Sequence, residues 1–289
     1  MPDDDKNKHK EEVSVLLGLF KKLIWEIQED GSKWRSLEEL IKARADFAVR
    51  HAFNGFGISY DDAMELLKKA DKLTDEERVQ RDILVAAVDN LVDFSVAEEF
   101  HASEELEEHE EEIAELTELD EDSEDYEEIM AMLLAICTKY NDRYAYVENM
   151  DIEYAMIIAA YISSLRDDTT LTYMTMGDER VRPWHRQYEG YTAPRSLFPQ
   201  WLIPPIEHQC RCFLVEDSQS SVFSQIQASK RKTSDKAPEM PEWFDRTFKE
   251  CVAFGGRIFS DEHSYFQIKK KHIKRLKKIS NKIKKSYFL

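Results

Sequence analysis

Val13, Leu16, Leu17, Phe20, Leu23, Ile24 and Ile27 recur at intervals of three and four residues, which lays one apolar stripe along a helix. Ser36 followed by Glu39 has capping-box spacing and predicts a second helix through Leu40 and Phe47. Asn54-Gly55-Phe56-Gly57 should stop it, because two glycines so close disfavour a helix interior. Ser59 then caps a short helix with Met64, Leu66 and Leu67. Thr74 with Glu77 caps a longer one with Val79, Ile83, Leu84, Val88 and Leu91. A turn near Asp120-Glu121-Asp122-Ser123 precedes an apolar helix from Ile129 through Leu133, Leu134 and Ile136. Asp151 to Leu165, carrying Met156, Ile157, Ile158 and Ile162, predicts the last helix of this half. Residues 1–165 therefore read as a helical bundle.

Beyond Asp167 the texture changes. Thr169 to Met176 is rich in β-branched and aromatic residues and predicts a strand, and Phe213-Leu214-Val215 predicts another. Pro183, Pro194, Pro199, Pro204 and Pro205 exclude long helices between them. Residues 217–241 read as a linker, and Trp243 to Phe254 as a return to helix ended by Gly255-Gly256. From Ile268 a basic amphipathic helix carries Ile268, Leu276, Ile279 and Ile283 on one face. The expected class is α+β: a helical region over 1–165, a small α+β domain over 166–266 and a basic tail helix over 267–289.

Charge changes this picture by its distribution. The 289-residue chain carries a formal net charge of -18, which argues against nucleic-acid binding by the molecule as a whole. Glu98 to Glu128 nevertheless holds eighteen acidic residues and no Lys or Arg, whereas Lys269 to Lys285 is almost purely basic. Such a split implies two different partners, or one end folding on the other, beside the plain alternative of solvated helix faces. The spacing Glu98-x-x-His101 echoes di-iron ligands, but a second Glu-x-x-His is missing. No run of eighteen apolar residues is present, so no membrane span is expected. The acidic start, Met1-Pro2-Asp3-Asp4-Asp5, lacks the apolar core of a secretory signal. With Cys137, Cys210, Cys212 and Cys251 as its only cysteines, the chain does not read as a disulfide scaffold.

The chemistry concentrates in Gly177-Asp178-Glu179-Arg180-Val181-Arg182-Pro183-Trp184-His185, in Glu189-Gly190, and in Pro204-Pro205-Ile206-Glu207-His208-Gln209-Cys210-Arg211-Cys212. In these segments the chain resembles the phage head-morphogenesis (Mu F-like) proteins. Their domain has a strand ending in Asp-x-Arg-Val-Arg-x-x-His, an acidic-Gly pair, a Pro-Pro and a closing Cys-Arg-Cys. Arg257 to Phe266 is similar to a segment that often follows. The resemblance spans roughly 169–266. It implies a minor capsid protein of the virion interior, near the portal, built in during procapsid assembly in the bacterial cytoplasm and acting in DNA packaging or ejection. The implied partners are portal, major capsid or scaffold proteins. By its charge alone, the basic tail could meet packaged DNA, or equally dock on the acidic helix or on another capsid protein. The resemblance implies no established catalytic activity.

Three physical readings of the motif stand side by side. Cys210 and Cys212, two apart on extended backbone, point their thiols to one side, which suits a soft metal. His185 with either His208 or Glu207 would complete a tetrahedron around a structural zinc. Many relatives carry Cys-x-x-Cys where this chain has Arg182 to His185, and a His where it has Glu207, so this chain has one thiolate fewer and a displaced His208. The plainer reading is a compact knot in which Asp178, Arg180, Arg182 and Glu189 form hydrogen-bonded pairs, beside Gly190 and Pro205. The third reading is a phage-encoded toxin or nuclease-like enzyme with His185 as acid or base, oriented by Glu189 or Glu207. Cys137 sits in an apolar run and Cys251 on a helix face, both as core. In the tail, Lys270, Lys274, Arg275 and Lys278 are the candidates for phosphate contact.

Overall fold

The computed structural model describes residues 3–69, 71–216 and 237–289. The class is α+β: a mostly helical chain with one small antiparallel sheet and a C-terminal helix. Helices α1 (Asp3–Asp30), α2 (Trp34–Phe56), α3 (Tyr60–Lys68), α4 (Asp75–Glu107), α5 (Glu110–Glu115), α6 (Glu124–Thr138) and α7 (Ala145–Ser163) come first. A π-helical turn, Lys139–Tyr144, joins α6 to α7. Strand β1 (Thr170–Met174), the single-turn α8 (Pro183–Arg186), β2 (Thr192–Pro194), β3 (Phe213–Glu216) and α9 (Lys270–Phe288) follow. Most of the expected linker, 217–236, lies outside the described residues.

The helix starts follow local chemistry where a cap is local. The Ser59 hydroxyl accepts from the Asp62 N–H at 3.1 Å. Thr74 and Glu77 form a reciprocal capping box, with N–H to carboxylate at 2.7 Å and N–H to hydroxyl at 3.1 Å. At α2 the expectation is corrected. The helix begins at Trp34, and the free N–H groups of Arg35 and Ser36 donate to the Glu26 carboxylate of α1 at 3.2 and 2.5 Å. A negative group from another helix thus does what Ser36 was expected to do. Gly55 does not break α2 either. A Cβ there would sit 2.3 Å from the Glu153 carbonyl oxygen, so glycine lets α2 meet the α7 backbone. The turn comes at Gly57, with φ +80.

Two compact units emerge, one from Met1–Arg50, Leu91–Asn149 and Ser264–Leu289, the other from His51–Asn90 and Met150–His263. These units cut across the expected partition at 165, because α2, α4 and α7 are long enough to supply core residues to both. The first unit buries Phe20, Leu23, Ile24, Leu40, Phe94 and Leu133, together with Leu276 and Ile279 of α9. Within that core Arg44 is 0% exposed. Its Nε lies 2.9 Å from Glu98, Nη2 donates to Glu148 at 3.0 Å, and Nη1 donates to Asn149 at 3.1 Å. Glu99, also buried, accepts from Asn141 at 3.2 Å. The acidic segment therefore begins inside the core rather than on a solvated face.

The second unit is organised on the sheet, in the order β2-β1-β3. Central β1 pairs Leu171 with Ala193 and Tyr173 with Leu214, and Leu171, Thr172, Tyr173 and Met174 are all buried. A strand covered on both faces needs a continuous unexposed run, and the Thr172 hydroxyl is satisfied there by Thr192 at 3.0 Å. Leu171, Trp201, Leu202, Ile203, Ile206 and Phe244 share one core with both motif cysteines. The expected helix over 243–254 is corrected to two short 3-10 turns, Arg246–Phe248 and Val252–Phe254.

Candidate functional site

The two thiols enter the core just before β3. Cys210 and Cys212 are 4% and 2% exposed, and both face the imidazole of His185, itself 2% exposed. Pro183 opens the single turn α8, its fixed φ suited to a first helical position, and that turn carries His185 inward. His185 Nδ1 lies 3.2 Å from Cys212 Sγ and 3.9 Å from Cys210 Sγ. All three ligand atoms fall within 4.8 Å of one another, and among the described residues no other group of three does so. For a tetrahedral zinc the sulfur–nitrogen separation is about 3.5 Å, from bond lengths of roughly 2.3 and 2.0 Å. The observed pair of distances brackets that value.

On its far side the ring meets a carboxylate. His185 Nε2 is 3.1 Å from Glu207 Oε2, and Arg182 Nε holds Glu207 Oε1 at 2.7 Å. A carboxylate only accepts, so Nε2 carries a hydrogen towards Glu207 while Nδ1 faces the thiols. This is the arrangement by which a carboxylate orients a metal-binding histidine. Glu207 is thus placed to orient His185. Arg182 also donates to the His208 carbonyl at 2.9 Å, tying α8 to the Pro-Pro loop.

The thiols perturb each other. Cys210 is pulled down to about 5, chiefly by the hydrogen bond from Cys212, with His185 adding to it against the effect of burial. Cys212 moves far upward, because of the Cys210 sulfur beside it and because of burial. Burial likewise raises Tyr173, whose buried hydroxyl faces both cysteines. The Tyr154 hydroxyl donates to the Cys212 carbonyl, fixing the backbone that presents the second thiol.

Not every expected site residue joins this centre. His208 turns away, its Nδ1 2.8 Å from Asp151, whose other oxygen accepts from the Gln209 N–H at 2.7 Å. That carboxylate on α7 outcompetes the thiols for His208. Asp178 pairs in bidentate fashion with the Arg211 guanidinium at 2.8 and 2.9 Å and also accepts the Arg180 backbone N–H at 3.1 Å, while Arg182 turns to Glu207. The Asp178 carboxyl is held below the ordinary range chiefly by the Arg211 guanidinium. Arg180 is exposed. Glu189 accepts from the Thr175 hydroxyl at 3.1 Å, while Gly190, at φ +84, donates its N–H to Tyr173 at 2.8 Å and so turns the loop back to β1. Pro205 is buried behind a cis Pro204–Pro205 bond.

No family model, curated protein or solved structure matches the chain.

Sequence reasoning missed Arg211, Tyr154, Tyr173 and Asp151. Arg211 had a signal: flanked by two inward cysteines, it must point outward and so becomes free to pair. Asp151 had none, being 57 positions from His208. In the tail, Lys270, Lys274 and Lys278 are exposed on α9, whereas the Arg275 guanidinium lies 4.0 Å from the Trp34 ring centre.

Proposed function

We propose that this chain is a structural component of a phage head, a Mu F-like minor capsid protein of the virion interior acting near the portal in procapsid assembly or DNA packaging and ejection. The supporting observation is convergence. Segments 178–190 and 204–212, which carry the resemblance, build one centre in which His185, Glu207, Arg182 and the two cysteines engage one another. His185, Cys210 and Cys212 would supply three donors to a zinc, one fewer than a closed structural site uses, and the ion would cross-link α8 to the start of β3. The helical unit supplies the surface for portal, coat or scaffold proteins.

The enzymatic alternative needs an accessible imidazole. Here His185 is 2% exposed, with one nitrogen engaged by Glu207 and the other facing two thiols. A buried ring enclosed in this way is placed for bracing, not for turnover. Sedimentation of lysates from the phage or prophage encoding the chain tests the proposal. Co-migration with proheads and portal is expected, whereas recovery only as free protein would refute it. Growth arrest on expression, relieved by His185→Ala, would instead favour the toxin reading.

A further inference from the structure

Helix α9 carries its charge where a helix tolerates it least. Its first turn contains Lys270 and Lys271 and no acidic residue, although the amino-terminal end of a helix already bears partial positive charge. Lys270, Lys274 and Lys278 then follow at four-residue intervals, so neighbouring ammonium groups repel along one face. A helix meant only to close a core gains nothing from this arrangement. Leu276, Ile279, Ile283 and Tyr287 already do that work, and all four are buried.

Some of the charge is neutralised within the same unit. Lys282 pairs with Glu38, Lys284 with Asp93 at 2.9 Å, and Lys269 lies 3.9 Å from Glu104. Among the described residues, Lys270, Lys271, Lys274, Lys277, Lys278 and Lys285 have no such acidic partner. Lys274, Lys277, Lys278 and Lys285 line an open groove of about 590 Å³ with Trp34, Ile279 and Glu38, the last paired with Lys282. From Lys270 to Lys285 the stripe runs roughly 22 Å along the helix axis.

We propose that this face of α9 binds the phosphate backbone of double-stranded nucleic acid without sequence preference. The buried apolar face leaves nothing to insert into a lipid surface or into a hydrophobic groove of a partner. The Trp34 ring is occupied by Arg275 at 4.0 Å and stacks with Phe100 at 6.3 Å, so it offers no platform for unpaired bases. What remains is a line of point charges. A duplex presents about one phosphate per 1.7 Å of axis, and the counterions it releases offset the repulsion from the rest of an acidic molecule. The proposal stands apart from the head-assembly reading and does not depend on it.

Fluorescence anisotropy of a labelled random-sequence DNA duplex, titrated with the full chain, tests it. Binding should weaken about 500-fold between roughly 50 and 200 mM salt if about five phosphates are contacted. Lys270→Ala/Lys274→Ala/Lys277→Ala/Lys278→Ala, shown by circular dichroism to be folded, should lower the logarithmic salt slope by about three to four and weaken binding at low salt by at least about tenfold. Absence of duplex binding, or equal binding by the folded variant, would overturn the proposal. So would self-association of the wild type that the variant loses without any duplex binding, since the stripe would then serve the acidic segment of a second copy.

Discussion

In the first unit Arg44 is buried against Glu98 and Glu148, with Glu99 alongside; in the second, His185 is buried against Cys210 and Cys212, with Glu207 behind it. The first cluster is short of positive charge. One guanidinium serves several carboxyls, and burial pushes the Glu98 carboxyl well up. The second has donor atoms converging on one point, with a carboxylate and an arginine holding the imidazole at a fixed angle. The contrast separates polar groups buried within a helical core from donor atoms that converge on one point.

The largest effect should come from breaking the first cluster. Arg44→Met leaves buried carboxylates without their cation and should cost about 3–5 kcal/mol, read as a lower urea midpoint. An unchanged midpoint would mean that the carboxyls are already neutral and that Arg44 does not hold them.

Next comes pH. Burial raises the Glu99 carboxyl from 4.5 to about 7. The folded chain then keeps a proton that the unfolded chain releases. Stability from this group is full below pH 4.5 and is lost as pH rises through about 7. The loss is roughly 3 kcal/mol. Glu99→Gln should flatten that window in denaturation midpoints taken on either side of it. A wild type and variant with parallel pH profiles would refute the assignment.

A smaller effect sharpens the second cluster. Glu207→Gln keeps the shape but weakens the carboxylate that orients His185, and should lower zinc affinity by about 10- to 100-fold in competition with a chromophoric chelator. Unaltered affinity would remove Glu207 from the metal reading.

Much of this arrangement was legible in the residue pattern. The caps at Ser59 and Thr74 are local, and both formed as their spacing dictates. The convergence of Cys210, Cys212 and His185 followed from thiol spacing and order in the motif. What escaped was tertiary. Glu26 took over the start of α2 from a different helix, and Asp151 drew off His208. Strand β2 hid among prolines because three residues suffice on a sheet edge, where Pro194 needs no N–H. Glu98 and Glu99 looked like the start of a solvated acidic face, since nothing nearby in sequence announces that Arg44 waits opposite them.

The central claim, that the motif builds a metal-braced structural centre, is tested most directly by metal content. Full-length chain purified without chelators from zinc-replete cells should carry near-stoichiometric zinc, and Cys210→Ser/Cys212→Ser should carry none. A folded wild type free of metal would contradict the account.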